Sequence, residues 1–568
     1  MIIVKKYLEQ AQNGKFPLFQ QEVDIKTITA PVGGWDAISP LSNMDSRYAV
    51  VLDNWVPRPG YIEIRGGYNN WAQGLSSSPV ETLMTYRPQT SGEQALFAAT
   101  GNSIWDVTQY GMPVEVLTGL LNARWQYINF TPAGAPTRLC MVNGQDSYTT
   151  WDGTSWTNPT ITGVDTTTLI NIFNFKRRIW FIQENSMSAW FLDTDAIQGP
   201  ATEFPLGSFC NKGGYLVAMG SWTLDGGNGP DDYAAFITSR GQIVIYRGTD
   251  PTSDALFIQV GVFNIPPPIS RRCLARVGSD LYIITIEGLL PISQSLPFDP
   301  AASRSQALTM RIQNAMLQAA QNGLNLFGWQ CLTFPQQSLL VMNVPVIENN
   351  TQYQYVMNTI GGPWTRFTGW NANCFEIFNE SLYFGDNDGN VALAYTGPLD
   401  LISPINFDMQ CAFNYFEQPS RVKNMTMVRP FLFADSTFTP TISINVDFGT
   451  DAQAAPVTVL ETLGGIWDES VWGPASEDVA IWSSSAVAFA FWQSAQALGT
   501  ALSVRMQVNL AGAGSSINAN TIIQSVFDTG VFDTMVFDGN GSVTASGEDI
   551  PMLQVNAFQA MVAYGSPV

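Results

Sequence analysis

From about residue 80 to 397 one pattern of apolar and polar positions keeps returning. A short alternating or wholly apolar run meets a turn of Gly, Asn or Asp, and a second such run follows. ALFAATGNSIWDV (95–107), RLCMVNGQDSYTTWDG (138–153) and RRIWFIQENSMSAWFLD (177–193) have this form. So do YAAFITSRGQIVIYRG (233–248), DLYIITIEGLLPIS (280–293), the pair SLLVMNV and YQYVMNT, and ESLYFGDNDGNVALAYTG (380–397). Runs rich in β-branched and aromatic residues, split by turn formers, predict β-hairpins. The units begin roughly 40 to 57 residues apart, a period that predicts a β-propeller when each unit is built of hairpins. One unit shows all four strands of a blade: LFGWQCLTF, SLLVMNV, QYQYVMN and PWTRFTG. Seven hairpins predict six or seven blades, and two stacked sandwiches are the alternative that hairpins alone leave open.

Two regions break the pattern. SRSQALTMRIQNAMLQAAQNG (303–323) reads as a helix inserted in the propeller, with Leu308, Ile312 and Met316 on one stripe, Ser303 or Ser305 as cap and Gly323 as stop. It is either a decoration packed on the ring or a contact with a neighbouring subunit. After residue 400, INFDMQCAFNYF, NMTMVRPFLFA and TPTISINVDFG read as longer strands of a β-sandwich or platform. The chain therefore divides into an N-terminal arm with the strands leading into the propeller (1–79), the propeller with its helical insertion (80–397), and a C-terminal β-rich platform or sandwich domain (398–568). Near the C-terminus, Trp467 and Trp472 stand five apart, as do Phe527, Phe532 and Phe537. That period fits neither helix nor strand and predicts turn-punctuated extended chain. Asp528, Asp533 and Asp538, within 526–539, are read as turn residues, with Ca²⁺ binding as the other reading.

The stretch VVLDNWVPRPGYIEIRGGY (50–68) packs two Pro, three Gly and two Arg into nineteen positions. It predicts a strand, a corner stiffened by Pro57 and Pro59 and turned at Gly60, and then YIEIRGG entering the first blade. Trp55 is expected as an anchor, with Arg58 and Arg65 paired to carboxylates.

Composition narrows the chemistry. Only 13% of residues are charged and the net charge is −21. The longest basic run is Lys176-Arg177-Arg178, so the patch that neutralising phosphates requires is missing and sequence-specific nucleic-acid binding is excluded. A negative wall would instead let DNA slide past without sticking. The chain contains 0 His, which removes Ser-His and Cys-His catalysis and His-ligated metals. Six Cys, the closest pair being Cys374 and Cys411, form no metal knuckle and are read as buried thiols of a protein folded in a reducing cytosol. MIIVKKYLEQAQNG has no apolar stretch before a cleavage site, so no secretory signal is expected. The longest apolar run, AVAFAFW (486–492), is far shorter than a membrane span.

Three motifs come close to known chemistry and miss. YTTWDGTSW (148–156) lacks the residue between Asp152 and Gly153 that a sialidase-type Asp-box needs. GDNDGNV (385–391) starts like an EF-hand loop, but the twelfth position from Asp386 is Gly397 rather than Glu. Both are read as hairpin turns. Glycoside hydrolysis needs two facing carboxylates, and nothing in the sequence selects a pair. No catalytic, cofactor-binding or metal-binding residue is assigned, and no enzyme activity is expected.

Two segments resemble a known family: TAPVGGWDAISPLSNMDSRYAVVLDNWVPRPGYIEIRGGY (29–68), and GGNGPDDYAAFITSRGQIVIYRGTDP (226–251) with GVFNIPPPISRRCLARVGSDLYIITIEGLLPIS (261–293). NYFEQPSRVKNMTMVRPFLFAD and SINVDFG, within 414–448, look like the same family. They are similar to the tail nozzle, or tail tubular protein B-like, virion proteins of short-tailed bacteriophages. The resemblance implies a virion protein assembled in the host cytoplasm. It implies a homohexameric tube at the tail end that retains packaged DNA and lets it pass at ejection. Its partners would be further copies of itself, a tail adaptor ring, tail fibres or spikes, and viral DNA in transit. The alternatives are a receptor-binding or fibre-anchoring tail protein and a propeller glycoside hydrolase.

Overall fold

The computed structural model describes residues 23–567 apart from 90–92, 226–229, 279, 296–303, 435–437, 439, 453–486 and 510–551. Seven small antiparallel sheets follow one another in the order in which their hairpins occur in the chain. Blade 1 comprises Val80–Tyr86, Ala95–Thr100, Ser103–Asp106 and Val114–Thr118; blade 2 runs from Gln126–Phe130 to Trp156–Thr157. Blade 3 runs from Leu169–Phe175 to Thr202–Pro205, and blade 4 from Leu216–Asp225 to Phe257–Asn264. Blade 5 has three strands, Leu274–Val277, Asp280–Thr285 and Gly288–Pro291. Blade 6 is Gln330–Phe334, Leu339–Ile347, Thr351–Asn358 and Trp364–Phe367, the four strands read from the sequence. Blade 7 takes Ala372–Phe378, Ser381–Asp386 and Val391–Ala394 and receives its fourth strand, Tyr68–Ala72, from the N-terminal part of the chain, with the short pair Leu399–Asp400 and Ser403–Pro404 beyond it.

Apolar clusters between successive blades turn this series into a ring. Phe97 and Met84 of blade 1 meet Trp125 and Leu139 at blade 2. Blades 2 and 3 share Tyr148 and Phe181, and blades 3 and 4 share Trp180 and Phe236. One cluster runs through blades 4, 5 and 6, and another joins Val341 of blade 6 to Phe384 of blade 7. The last packs Cys374 and Tyr383 of blade 7 on Val80 and Leu83 of blade 1, which closes the circle. Both faces of each sheet are thereby buried on neighbours, which is why the strands read as apolar runs as often as alternating ones.

The inserted helix is shorter than the sequence suggests. It spans Gln313–Gly323, preceded by 3-10 turns at Arg304–Gln306 and Leu308–Ile312 and with no side-chain cap. Ser303 lies outside the described residues, and Ser305 sits in the first of these turns. Ile312 and Met316 are fully buried and Leu308 partly, with Ala320 continuing the stripe, against Met342, Val344 and Tyr355 of blade 6 and Leu289 of blade 5. The helix thus packs beside blade 5, which shows three strands among the described residues. Gly323 is its last residue, and a Cβ there would stand 2.9 Å from the Pro345 carbonyl oxygen.

Beyond the ring, two sheets face each other as a β-sandwich. One holds Val23–Thr29, Trp55–Arg58, Tyr61–Ile64, Arg421–Ala434, Val487–Phe489, Gln493–Gly499 and Leu553–Pro567. The other carries Tyr48–Asp53, Asn406–Cys411, Leu502–Asn509 and Pro440–Val446. Their shared core includes Trp55, Phe407, Met425, Val504 and Phe558. Segments from both sides of the 80–397 stretch build this one core. One expectation is corrected here: Tyr61–Ile64 does not enter the first blade but pairs with Trp55–Arg58 and with Gln554 and Val555. Pro59 and Gly60 (φ +91°) form a two-residue turn that folds this strand straight back, so the chain reaches the propeller only at Tyr68.

Candidate functional site: the propeller axis and the joint beside it

The seven inner strands enclose a cavity of about 310 Å³ on the propeller axis, lined by residues of every blade from Leu83 in blade 1 to Glu376 in blade 7. One arginine straps its mouth. Arg272, just before the inner strand of blade 5, reaches across the ring to blades 1 and 2. Its guanidinium donates to the Glu81 carbonyl (3.0 Å), the Thr82 hydroxyl (2.6 Å) and the Trp125 carbonyl (3.0 Å). It also lies 4.9 Å from the ring centre of Phe327, which has the Arg124 guanidinium 4.3 Å away. Arg124 is fixed in turn by Glu81 (3.0 Å) and Glu348 (2.8 Å). Two guanidinium–ring contacts and six hydrogen or ionic bonds of this kind hold the stack, so the axis is crossed by side chains at this level. Burial, with Arg271 and Arg124 nearby, pushes the Arg272 guanidinium down to about 10.

On the same cavity, Glu376 accepts from the Thr85 hydroxyl (3.4 Å) and the Arg87 guanidinium (3.5 Å). Burial pushes its carboxyl up, against the opposing pull of Tyr127 and Arg87, and burial pushes the Tyr127 hydroxyl well up. Among the described residues lining the cavity, Glu376 is the one carboxylate.

A second locus joins propeller to sandwich. Asp53 and Arg366 pair across strands with two bonds, of 2.7 and 2.6 Å, where the outer strand of blade 6 continues into the sandwich sheet. Next to them, Asn54 at φ +65° bonds the Thr368 hydroxyl and its backbone N–H. Arg65, with no exposed surface, holds Asp400 by two bonds of 2.9 and 2.7 Å. Trp55 is fully buried and Arg58 bonds Glu63 at 2.6 Å, as expected of the 50–68 stretch.

The near-miss motifs are turns. Asp152 accepts from the backbone N–H groups and hydroxyls of Thr154 and Ser155, beside Gly153 at φ +99°. Asp386 accepts from the N–H groups of Asp388 and Asn390 in the hairpin closed by Gly389. The Lys176-Arg177-Arg178 run is no free patch: the three pair with Asp232, Asp195, and Asp193 with Asp250. All six cysteines are unpaired, and burial pushes five of them, Cys140, Cys273, Cys331, Cys374 and Cys411, up to about 12. Asp528, Asp533, Asp538 and the Trp467–Trp472 segment lie outside the described residues. Among the described residues no three Cys, Asp or Glu side chains converge as a metal site, and no helix is long and apolar enough to cross a membrane. Sequence reasoning missed the axial arginines. The available signal was the Arg271-Arg272 doublet in a chain with 26 basic residues.

No family model matches the chain and no curated protein does. Among solved structures it is similar to BBS1N in complex with ARL6DN, at 10% identity over 61% of this chain and 98% of that one, with a TM-score of 0.37. YCF48 bound to D1 peptide matches at 8% identity over 60% of this chain and 97% of that one, with a TM-score of 0.35. The extracellular domain of the putative hybrid two component system BT4673 from B. thetaiotaomicron matches at 13% identity over 71% and 48%, with a TM-score of 0.36. Likenesses this slight carry no functional argument.

Proposed function

We propose that the protein is a non-enzymatic structural subunit of a bacteriophage tail, assembled in the host cytoplasm, in which copies of the chain surround the DNA path at the tail tip. The observation that carries this reading is the fusion of a closed propeller to a sandwich through one continuous sheet, locked by Asp53–Arg366 and Arg65–Asp400. Such a body suits a building block that must keep its shape under load. The segments that resemble tail nozzle proteins support the same reading, since 29–68 and 414–448 supply much of the sandwich and the joint. The strapped axis supports one route over the other. A duplex whose major groove alone is about 12 Å wide does not thread a bore crossed by Arg272. In this reading the channel lies between six subunits, and its net negative wall lets DNA slide. An adaptor ring sits above and fibres or spikes beside it. Electron microscopy of the purified chain and of virions tests this: rings with an open centre, located on the tail axis, are expected. A monomer with no virion association overturns it, and density on the outside of the tail assigns the protein to fibre anchoring instead.

A further inference from the structure

The axial cavity has a property that a merely structural bore does not need. Arg271, Arg272 and Arg276 all line it, and among the described residues none has a carboxylate within ion-pair distance. That is unusual in a chain of net charge −21, where acidic residues outnumber basic ones 47 to 26. The three differ in what occupies them. Arg272 spends its donors on Glu81, Thr82 and Trp125. Arg271 has one weak bond, to the Asn143 carbonyl at 3.3 Å, and is half-buried. Arg276 is exposed within the lining, and among the described residues its side chain makes no hydrogen bond, although it stands near enough to Asp232 to help hold that carboxyl down. Arginine stays charged at any working pH, and the half-buried Arg271, whose counter-charge Glu184 is beyond ion-pair distance, carries a desolvation cost that a bound anion would offset.

A second feature points to a ligand independently. Asn171 lines the same cavity from blade 3, is 8% exposed, and its side-chain oxygen is buried with no hydrogen-bond partner. A buried acceptor without a partner is a place where a water or a ligand hydroxyl can bond, and this one opens on the cavity. The rest of the lining mixes apolar and aromatic residues, such as Phe173, Met219, Leu274, Leu281 and Phe375, with Thr82, Gln126, Gln330 and the Glu376 carboxyl, which burial pushes toward its neutral form. A pocket of about 310 Å³ with apolar walls and a few convergent polar groups is at the small end of ligand sites.

We propose that the axial cavity of the propeller is a binding site for a small hydroxyl- and oxyanion-bearing molecule, its anionic oxygens held by Arg271 and Arg276 and a hydroxyl donating to the Asn171 side-chain oxygen. The oxyanion is a carboxylate or a phosphate. Guanidinium groups take either, by the same forked donor geometry. The site is independent of the proposed role in the tail, and its ligand is enclosed by the blades rather than shared between subunits.

Titration calorimetry on the full-length chain at low salt tests the proposal, with inorganic phosphate and citrate as separate probes. Saturable binding of at least one probe, at one molecule per chain, is expected. Losing one charge-assisted contact in Arg276→Gln or Arg271→Gln should weaken it at least about ten-fold, and Arg276→Glu should abolish it. Because Arg276 is exposed, its variants should melt like the parent. Arg47→Gln, which removes an exposed arginine outside the cavity paired with Asp45, should bind as the parent does. Phosphate alone binding assigns a phosphorylated ligand, and citrate alone assigns a carboxylic acid. No saturable heat with either probe overturns the proposal. So does an equal loss in Arg47→Gln and Arg276→Gln, which would mean diffuse attraction rather than a site.

Discussion

The Arg65 guanidinium makes five hydrogen bonds, to Asn54, Gly66, Thr368 and twice to Asp400, and lies 5.0 Å from the Trp370 ring centre. Every donor is used, so the buried charge is fully compensated. Removing it alone strands the Asp400 carboxylate. Arg65→Met should cost about 3–5 kcal/mol, and Arg65→Met with Asp400→Leu should recover most of that; urea midpoints of the two variants check it. Asp152 gives a residue-scale pH effect. Burial acts to raise its carboxyl, but the hydrogen bonds from Ser155 and Thr154 outweigh it and hold the group at about 2, below its ordinary 3.8. A depressed folded value means stabilisation present above the unfolded value and lost as pH falls through the folded one. The stability gap between parent and Asp152→Asn should therefore shrink by about 2 kcal/mol between about pH 5 and pH 2, read from denaturation at each pH. The Asp-Gly turn was legible in the sequence, because turn chemistry is local. The pairing of Arg65 with a residue 335 positions away was not.

At the scale of elements, blade 6 was read strand for strand, since four β-rich runs with turns between them leave few other folds. The helix was legible in kind but not in extent. Its first turns are 3-10, and Leu308–Ile312 lies against Gly288–Pro291 of blade 5, where the Leu289 backbone N–H donates to the Thr309 hydroxyl. A Cβ at Gly288 (φ +132°) would stand 2.2 Å from that hydroxyl. Met316 is the buried centre of the helix, with 0% exposure, while Gln318 faces solvent. Met316→Ala should lower stability by about 2–4 kcal/mol, and Gln318→Ala should stay within about 0.5 kcal/mol of the parent. Melting of both variants decides whether the helix is part of the ring's core.

For the whole molecule, closure depends on a strand far away in the chain. Tyr68–Ala72 pairs with Val391–Ala394, and Gly67 is so close to Leu399 that a Cβ would stand 1.8 Å from its carbonyl oxygen. A fragment covering 80–397 has every inner strand but leaves the Val391–Ala394 edge unpaired, and open strand edges pair with other chains. It should associate in light scattering, whereas a fragment that begins at 66 should remain disperse. A monomeric, cooperatively melting 80–397 fragment would show that closure is dispensable.

What the sequence determined alone was everything carried by short-range pattern: hairpins, turn chemistry, the blade repeat, the presence of a helix, and the exclusion of histidine chemistry. These follow from neighbours along the chain, where side-chain period and turn residues act directly. Only the tertiary structure decided that the blades number seven, that the N-terminal segment completes the last of them, and that one sandwich is built from both ends of the chain. It also decided that Arg272 crosses the axis and that Arg271 and Arg276 face a cavity. Each of these depends on contacts between residues tens to hundreds of positions apart. A single sequence records the residue types that make such contacts, but not which of them meet.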